Sequence, residues 1–343
     1  MPQPLALTFG IELECIIRYP RATYIPALEN LGHPVTSSSD TRHDHLIAKI
    51  VRQHIALCLQ TSGHAARHSP QEQTAEAWMI DSNTSIRSSP LLHQEDAEYG
   101  YCDVSIKSPA SPLSQQAFSE IEDVLDILSS IADLEVIFDS SCGLHVHVGN
   151  ESAGFPLQTL KNVSILTTVF EAQFSSLHPP ERVLNNEYIK RQSAVFAGKS
   201  PWDIAMEIQL CQNTDELVGL WTKGNGESDK NLACSLLQMV AKPGFQTIEF
   251  RQHKATMEVG EICKWVELTT ALVRYAHEVA FEDLMRVVED IAFDPGRDIA
   301  DLLCSLGMTA MADNYGGCEQ YEHPRLEGAW VDKTLLGYGK SEL

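Results

Sequence analysis

The sequence predicts an α+β fold, an antiparallel or mixed sheet with helices packed on one face. Three observations carry this reading. Short segments alternate apolar and polar side chains at a period of two, and longer segments repeat apolar side chains at helical spacing. The two kinds follow one another in mixed order, without the strict β-α-β alternation of a parallel sheet.

Residues 5–17 (LALTFGIELECII) alternate around β-branched and acidic positions and read as a strand. Residues 20–45 carry Pro20, Pro26, Gly32, Pro34 and Ser37–Ser38–Ser39 and read as a loop. A helix is expected over 43–60, with Ile47, Ile50, Val51, Ile55 and Leu59 on one face. Residues 61–75 are polar and read as a surface loop, followed by short strands near 76–81 and 101–108. Phe118, Ile121, Leu125, Leu128 and Ile131 mark a helix over 114–131, with Ser114 at its N-cap. Strands are expected at 134–138 and 144–148. A helix over 157–177 ends at His178–Pro179–Pro180, and one over 201–211 begins with Pro201, which the first turn tolerates. Residues 223–231 read as a loop, 245–251 as a strand, and 258–280 as a long helix built on Ile262, Val266, Leu272 and Val273. The expected organisation is one domain over 1–312 and an irregular tail over 313–343.

The chain has 343 residues, 43% apolar and 21% charged, a composition typical of globular proteins. Its formal net charge of −22 argues against nucleic acids and anionic membranes, whose phosphates call for Lys and Arg. No stretch approaches the ~18 apolar residues of a membrane span. The start MPQPLALTFG lacks the basic and apolar regions of a secretory signal. The nine cysteines form no C-x-x-C pair and read mostly as small buried hydrophobes. A cytoplasmic location is expected.

Three strands carry ionisable side chains on one face only. In Phe9–Gly10–Ile11–Glu12–Leu13–Glu14, the two glutamates are one strand repeat apart, roughly 7 Å, and share a face. An isolated E-x-E is more often a solvated face, yet such a pair also suits a hard cation. In Cys142–Gly143–Leu144–His145–Val146–His147–Val148–Gly149, two imidazoles share a face opposite apolar residues. That pattern points to a metal or phosphate site more than a lone histidine does. Nothing in the sequence activates Cys142 as a nucleophile. In Thr247–Ile248–Glu249–Phe250–Arg251–Gln252–His253, Glu249, Arg251 and His253 share a face, with Lys254 next. A surface ion pair is the common explanation; an acid beside an arginine also fits a metal ligand beside a phosphate or carboxylate clamp. If these faces meet, the cluster needs a cation and an anionic ligand to neutralise it.

The ordered set FGIELE, CGLHVHVG and TIEFRQHKAT resembles the putative amidoligase family, which belongs with glutamine synthetase and γ-glutamylcysteine synthetase among carboxylate–amine ligases. The resemblance runs from about residue 7 to residue 280. Arg182 with Asn185 and Asn186, and Ile262–Cys263–Lys264–Trp265–Val266, match further family segments. The resemblance implies a curved antiparallel sheet forming an active-site funnel with helices on its outer face, and ATP with Mg²⁺ or Mn²⁺ as cofactors. It implies small carboxylate and amine substrates joined as an amide through an acyl phosphate. Glu12, Glu14, His145 and Glu249 would be metal ligands. His147, Arg251, Lys254 and Arg182 would face the nucleotide, with Arg251, Glu249 and His147 serving catalysis. Two positions depart from the family pattern: Asn83 and Ser105 stand where acids are expected, with Asp81 and Asp103 as the nearest acidic substitutes. Two other readings stay open, a metal-dependent hydrolase using the same residues and a nucleotide-binding pseudoenzyme.

Residues 193–200 approach a P-loop, but Ser193 replaces its first glycine, no apolar strand precedes it, and Pro201 follows. His33, His43, His45, His64 and His68 lack ligand spacing and read as surface residues.

Overall fold

The computed structural model describes residues 4–33, 43–68, 76–83, 85–86, 98–183, 189–221, 231–241, 246–292, 294 and 296–316. The chain divides into two compact units. One comprises Ala6–Glu151 and His253–Thr270; the other comprises Met1–Leu5, Ser152–Gln252 and Ala271–Leu343.

The first unit is built on a long central strand, β1 (Thr8–Pro20). Helices α1 (Arg21–Asn30) and α2 (Asp44–Thr61) follow, then strands β2 (Ala66–Arg67), β3 (Trp78–Asp81), β4 (Tyr99–Lys107) and β5 (Ser111–Pro112). Helix α3 (Gln115–Ser130) and strands β6 (Glu135–Ile137) and β7 (Gly143–Gly149) complete it. Antiparallel β4 flanks one edge of β1, and β7 and β6 share the other. Beyond β4 lies antiparallel β3, then β2 in parallel. The sheet is thus open and mostly antiparallel, as its alternating segments predict.

Its apolar face carries Phe9, Ile11, Leu13, Val104, Ile106, Leu144 and Val146, all buried. Helices α2 and α3 cover this side: the Phe9 and Phe118 rings lie 5.8 Å apart, and Trp78 Nε1 donates to Glu120 of α3. Ser114 caps α3 as expected, accepting from the Ala117 N–H at 3.2 Å. Along β4, Gly100 is required by close approach rather than by backbone conformation. A Cβ there would lie 2.4 Å from the Tyr19 ring.

The second unit is mostly helical. It holds α4 (Leu157–Val169), α5 (Glu171–Ser175), α6 (Pro201–Leu210), α7 (Thr214–Gly219) and α8 (Gln238–Ala241). Strands β8 (Cys234–Ser235) and β9 (Thr247–Lys254) pair antiparallel. Then come α9 (Val259–Glu278), whose first turns belong to the other unit, and α10 (Phe281–Ile291), α11 (Ile299–Ser305) and α12 (Thr309–Gly316). Helix α4 is buried along nearly all its length. Two of its buried polar residues reach backbone carbonyls: Asn162 Nδ2 donates to the Ala276 carbonyl at 2.8 Å, and Lys161 Nζ to the Gln209 carbonyl at 2.8 Å.

Several boundaries differ from the sequence reading. β1 runs to Pro20, because Ile16, Ile17 and Tyr19 are buried and pair with β4 and, in part, β6. The expected loop 20–45 opens with α1 despite Pro26, since burial of Tyr24 and Leu28 outweighs the lost hydrogen bond. The expected loop 61–75 contains β2. The helix over 157–177 breaks at Phe170 into α4 and α5. Helices α10 and α11 were not read, although Asp298 and Asp301 form a capping box. Asn185, Asn186, most of the 223–231 loop and the tail from 317 onward lie outside the described residues.

Candidate metal centre

The polar face of the first unit's sheet is where β1, β4 and β7 place their ionisable residues. Register puts His145 opposite Glu12 on one side of β1, and Lys107 opposite Glu12 and Ser105 opposite Glu14 on the other. Glu12, Glu14 and His145 are 9%, 2% and 2% exposed, so this is not the solvated face that an isolated E-x-E suggests. Buried charges of this kind require compensation.

The inner oxygens of both glutamates face imidazole nitrogens. Glu12 Oε2 lies 3.7 Å from His145 Nδ1 and 3.8 Å from His147 Nε2; Glu14 Oε2 lies 3.5 Å from His145 Nε2. These separations are long for hydrogen bonds. One nitrogen of His145 and one oxygen from each glutamate lie within 4.8 Å of one another. Glu12, Glu14 and His145 thus form a group able to ligate one ion.

The outer oxygens, and the inner oxygen of Glu14 as well, are held by the protein. Ser105 Oγ donates to Glu12 Oε1 at 2.5 Å, and Lys107 Nζ lies 3.5 Å from the same oxygen. Asn83 Nδ2 donates to Glu14 Oε1, and Ser85 Oγ lies 3.1 Å from it. The Gly143 N–H donates to Glu14 Oε2 at 3.0 Å. Burial pushes the Glu12 carboxyl pKa up, but the neighbouring His145 and His147 and the Lys107 charge outweigh it and hold it well below the usual range.

Asp103 and Asp81 do not stand in for the missing acids. Asp103 Oδ2 accepts from the Asn83 N–H at 2.7 Å, and Arg52 approaches it at 3.6 Å. Asp81 Oδ1 accepts from the Ser82 N–H at 2.8 Å. Neither joins a metal-capable group among the described residues. Sequence reasoning noted Ser105 and Asn83 only as lost acids. It missed their work as donors to Glu12 and Glu14, and missed Lys107, whose position two residues beyond Ser105 was the available signal.

In the second unit, Glu249 and Arg251 form an ion pair along β9, opposite buried Ile248 and Phe250. Arg182, in a 3-10 turn over Pro180–Arg182, is 2% exposed. Its guanidinium donates to the Arg251 carbonyl at 2.9 Å and the Gln252 carbonyl at 3.5 Å, so it fixes the strand that carries Glu249. At the end of β9, His253 Nδ1 lies 2.7 Å from the Lys254 carbonyl. Lys254 is in an exposed pair with Glu261 at 3.4 Å.

The rejected P-loop segment has structural roles. Ser193 donates to buried Glu171, Lys199 pairs with Glu207, and Ser200 caps α6. Cys142 is buried, and burial pushes its thiol up to about 12, which makes it a poor nucleophile.

Glu12, Glu14 and His145, buried on the mostly antiparallel sheet, form a group that could hold a metal ion. The family model described as putative amidoligase enzyme matches residues 5–273, and the chain belongs to this family. That span takes in β1, β4, β7 and β9 with all three strand motifs. No curated protein matches the chain. No helix among the described residues is long and apolar enough to cross a membrane.

Proposed function

We propose that the protein is an ATP-dependent carboxylate–amine ligase that joins a small acid to an amine. The observation that carries this reading is the buried Glu12–Glu14–His145 group in a chain that belongs to an amidoligase family. A carboxylate is a poor electrophile because its oxygen is a poor leaving group. Transfer of the ATP γ-phosphoryl to that oxygen gives an acyl phosphate and ADP. The amine then attacks the carbonyl carbon, phosphate leaves, and the nitrogen loses a proton to give the amide.

Glu12, Glu14 and His145 would hold Mg²⁺ or Mn²⁺, which neutralises phosphate charge and orients the transfer, and the family resemblance assigns Glu249 a metal-ligand role. Arg251, kept in place by Glu249 and by Arg182 behind the strand, is suited to grip the transferring phosphoryl group through its planar fork. His147 is 25% exposed at the side chain, against 2% for His145. That difference supports His147 as the imidazole that meets the nucleotide and His145 as the ligand. Arg182 and Lys254 are assigned to the nucleotide side by resemblance. The hydrogen bond from Arg182 to the Arg251 carbonyl makes it a support for Arg251, and Lys254 has the exposure a mobile phosphate contact needs. A funnel-shaped active site over the curved sheet completes the proposal.

The test is ATP consumption by purified protein with Mg²⁺ or Mn²⁺ against a panel of acids and amines, with product masses read in parallel. A product one water lighter than its two precursors, formed as ATP is lost, establishes the ligase. Hydrolysis that needs metal but no nucleotide replaces it with a hydrolase. ATP binding without turnover across the panel replaces it with a pseudoenzyme.

A further inference from the structure

Gln192 opens a 3-10 turn over Gln192–Phe196 in the second unit, and its main chain is fixed on both sides. Its N–H donates to Oε1 of buried Glu171 at 2.5 Å, and its carbonyl accepts from Trp221 Nε1 at 3.2 Å. Arg191 Nε, 3.1 Å from the other Glu171 oxygen, steadies the same corner. The Gln192 side chain takes no part in this. It belongs to a residue only 2% exposed, yet no group among the described residues bonds its Oε1. A buried amide oxygen without a donor is costly, and native folds leave few of them. This one lines a cavity of about 10 Å³, room for one water-sized group. Val218, Trp221, Leu232 and Leu236 give the cavity an apolar wall, Ser235 adds a hydroxyl, and no charged side chain among the described residues borders it. Ser235 Oγ accepts from the Leu237 N–H at 3.3 Å and donates to none of the described residues. Ser235 is also the register partner of Glu249, so the cavity lies beside the strand that carries Glu249 and Arg251.

We infer that this cavity recognises the hydroxyl of a small alcohol, which donates to Gln192 Oε1 and accepts from Ser235 Oγ. Size, charge and hydrogen-bonding capacity each select that group. A hydroxyl is one heavy atom and fits the volume. It is uncharged, whereas an ammonium or a carboxylate would be buried here without a counter-ion. It donates one hydrogen bond and accepts others, which matches one acceptor and one donor left over in the wall. A methyl in its place would bury Gln192 Oε1 with no donor, and a site built for a hydroxyl rejects the isostere for that reason. In the ligase reading the alcohol is carried by the acid or the amine being joined. That assignment rests on the ligase reading; the binding itself does not.

The probes are L-threonine and L-valine, which differ by a hydroxyl in place of a methyl. Each is titrated into the purified full-length protein without ATP, and binding is read by isothermal titration calorimetry. Threonine is expected to bind about tenfold or more tighter than valine. Gln192→Leu replaces the amide with apolar atoms and is expected to bring the two affinities within about twofold of each other. Ser235→Ala is a second, smaller change and is expected to narrow the ratio in the same direction. Circular dichroism confirms that each variant is folded. A purely structural role for Gln192 would weaken both probes alike and keep their ratio. Equal affinities in the parent protein, or no binding of either probe at millimolar concentration, overturn the inference and assign the cavity to a structural water. A ratio unchanged in both folded variants overturns it as well. A threonine preference without ATP turnover leaves the inference standing and sinks the ligase; ligation with no preference for a hydroxyl does the reverse.

Discussion

Ser105 stands opposite Glu14 in the β1–β4 register, yet its hydroxyl donates to Glu12, one repeat away, at 2.5 Å. The diagonal bond is within reach because next-but-one neighbours across an antiparallel pair lie on the same face. It leaves Glu14 to the loop donors Asn83 and Ser85, so each carboxylate has its own set of neutral donors. Ser105 is fully buried. Ser105→Ala is expected to destabilise the fold by about 1–3 kcal/mol, the cost of a buried oxygen losing its donor. Urea denaturation measures this; a change below a few tenths of a kcal/mol would show that the bond is not formed in solution.

Glu12→Gln and His145→Ala each remove one member of the metal-capable group. Both are expected to weaken metal-dependent turnover by about a hundredfold or more, with a native circular dichroism spectrum. Glu249→Gln and Arg251→Lys are expected to act alike in turnover, since an ammonium lacks the two-pronged contact of the guanidinium. Full activity in all four would place the chemistry elsewhere on the chain.

Arg182→Met is expected to cost about 3 kcal/mol, because it deprives the Arg251 and Gln252 carbonyls of a buried charged donor. Arg182→Lys should recover only part of this, having no fork with which to span both carbonyls. Guanidinium denaturation of the pair decides it, and equal stability of Arg182→Met and the parent would remove the assigned role.

Gly100→Ala is expected to destabilise by about 2–3 kcal/mol through overpacking against buried Tyr19. The double variant Gly100→Ala with Tyr19→Phe relieves little, since the ring carbons as well as the hydroxyl lie in the way. A melting temperature unchanged in Gly100→Ala would mean that β1 and β4 separate there.

Burial raises the thiols of Cys102, Cys142 and Cys234 from the usual 9.0 to about 12. At pH 8 their thiolate fraction is of order 10⁻⁴ in the fold, so alkylating reagents should spare them while exposed Cys304 reacts. The same shift sets an alkaline limit. The folded form keeps these protons and the unfolded form loses them above about pH 9, so stability present below that pH falls as pH rises towards 12. Mass mapping of labelled cysteines and denaturation at pH 8 and pH 10.5 check both. Rapid labelling of Cys142 in the folded protein would contradict its burial.

The sequence by itself determined the chemistry of the strands. Period-two alternation placed Glu12 with Glu14, His145 with His147 and Glu249 with Arg251 on common faces, because a strand turns successive side chains to opposite sides whatever its neighbours are. The Ser114 cap and the helical spacing after it were equally local, and so equally legible. Tertiary structure alone decided which residues meet across strands. Register set Lys107 and His145 on either side of Glu12, and it turned Ser105 and Asn83 from absent acids into the donors that hold Glu12 and Glu14. It also kept α1 helical through Pro26 and set Arg182 behind β9. These outcomes depend on burial and on pairings between residues distant in sequence, such as Gly143 and Glu14, 129 positions apart, and no local pattern encodes such pairings.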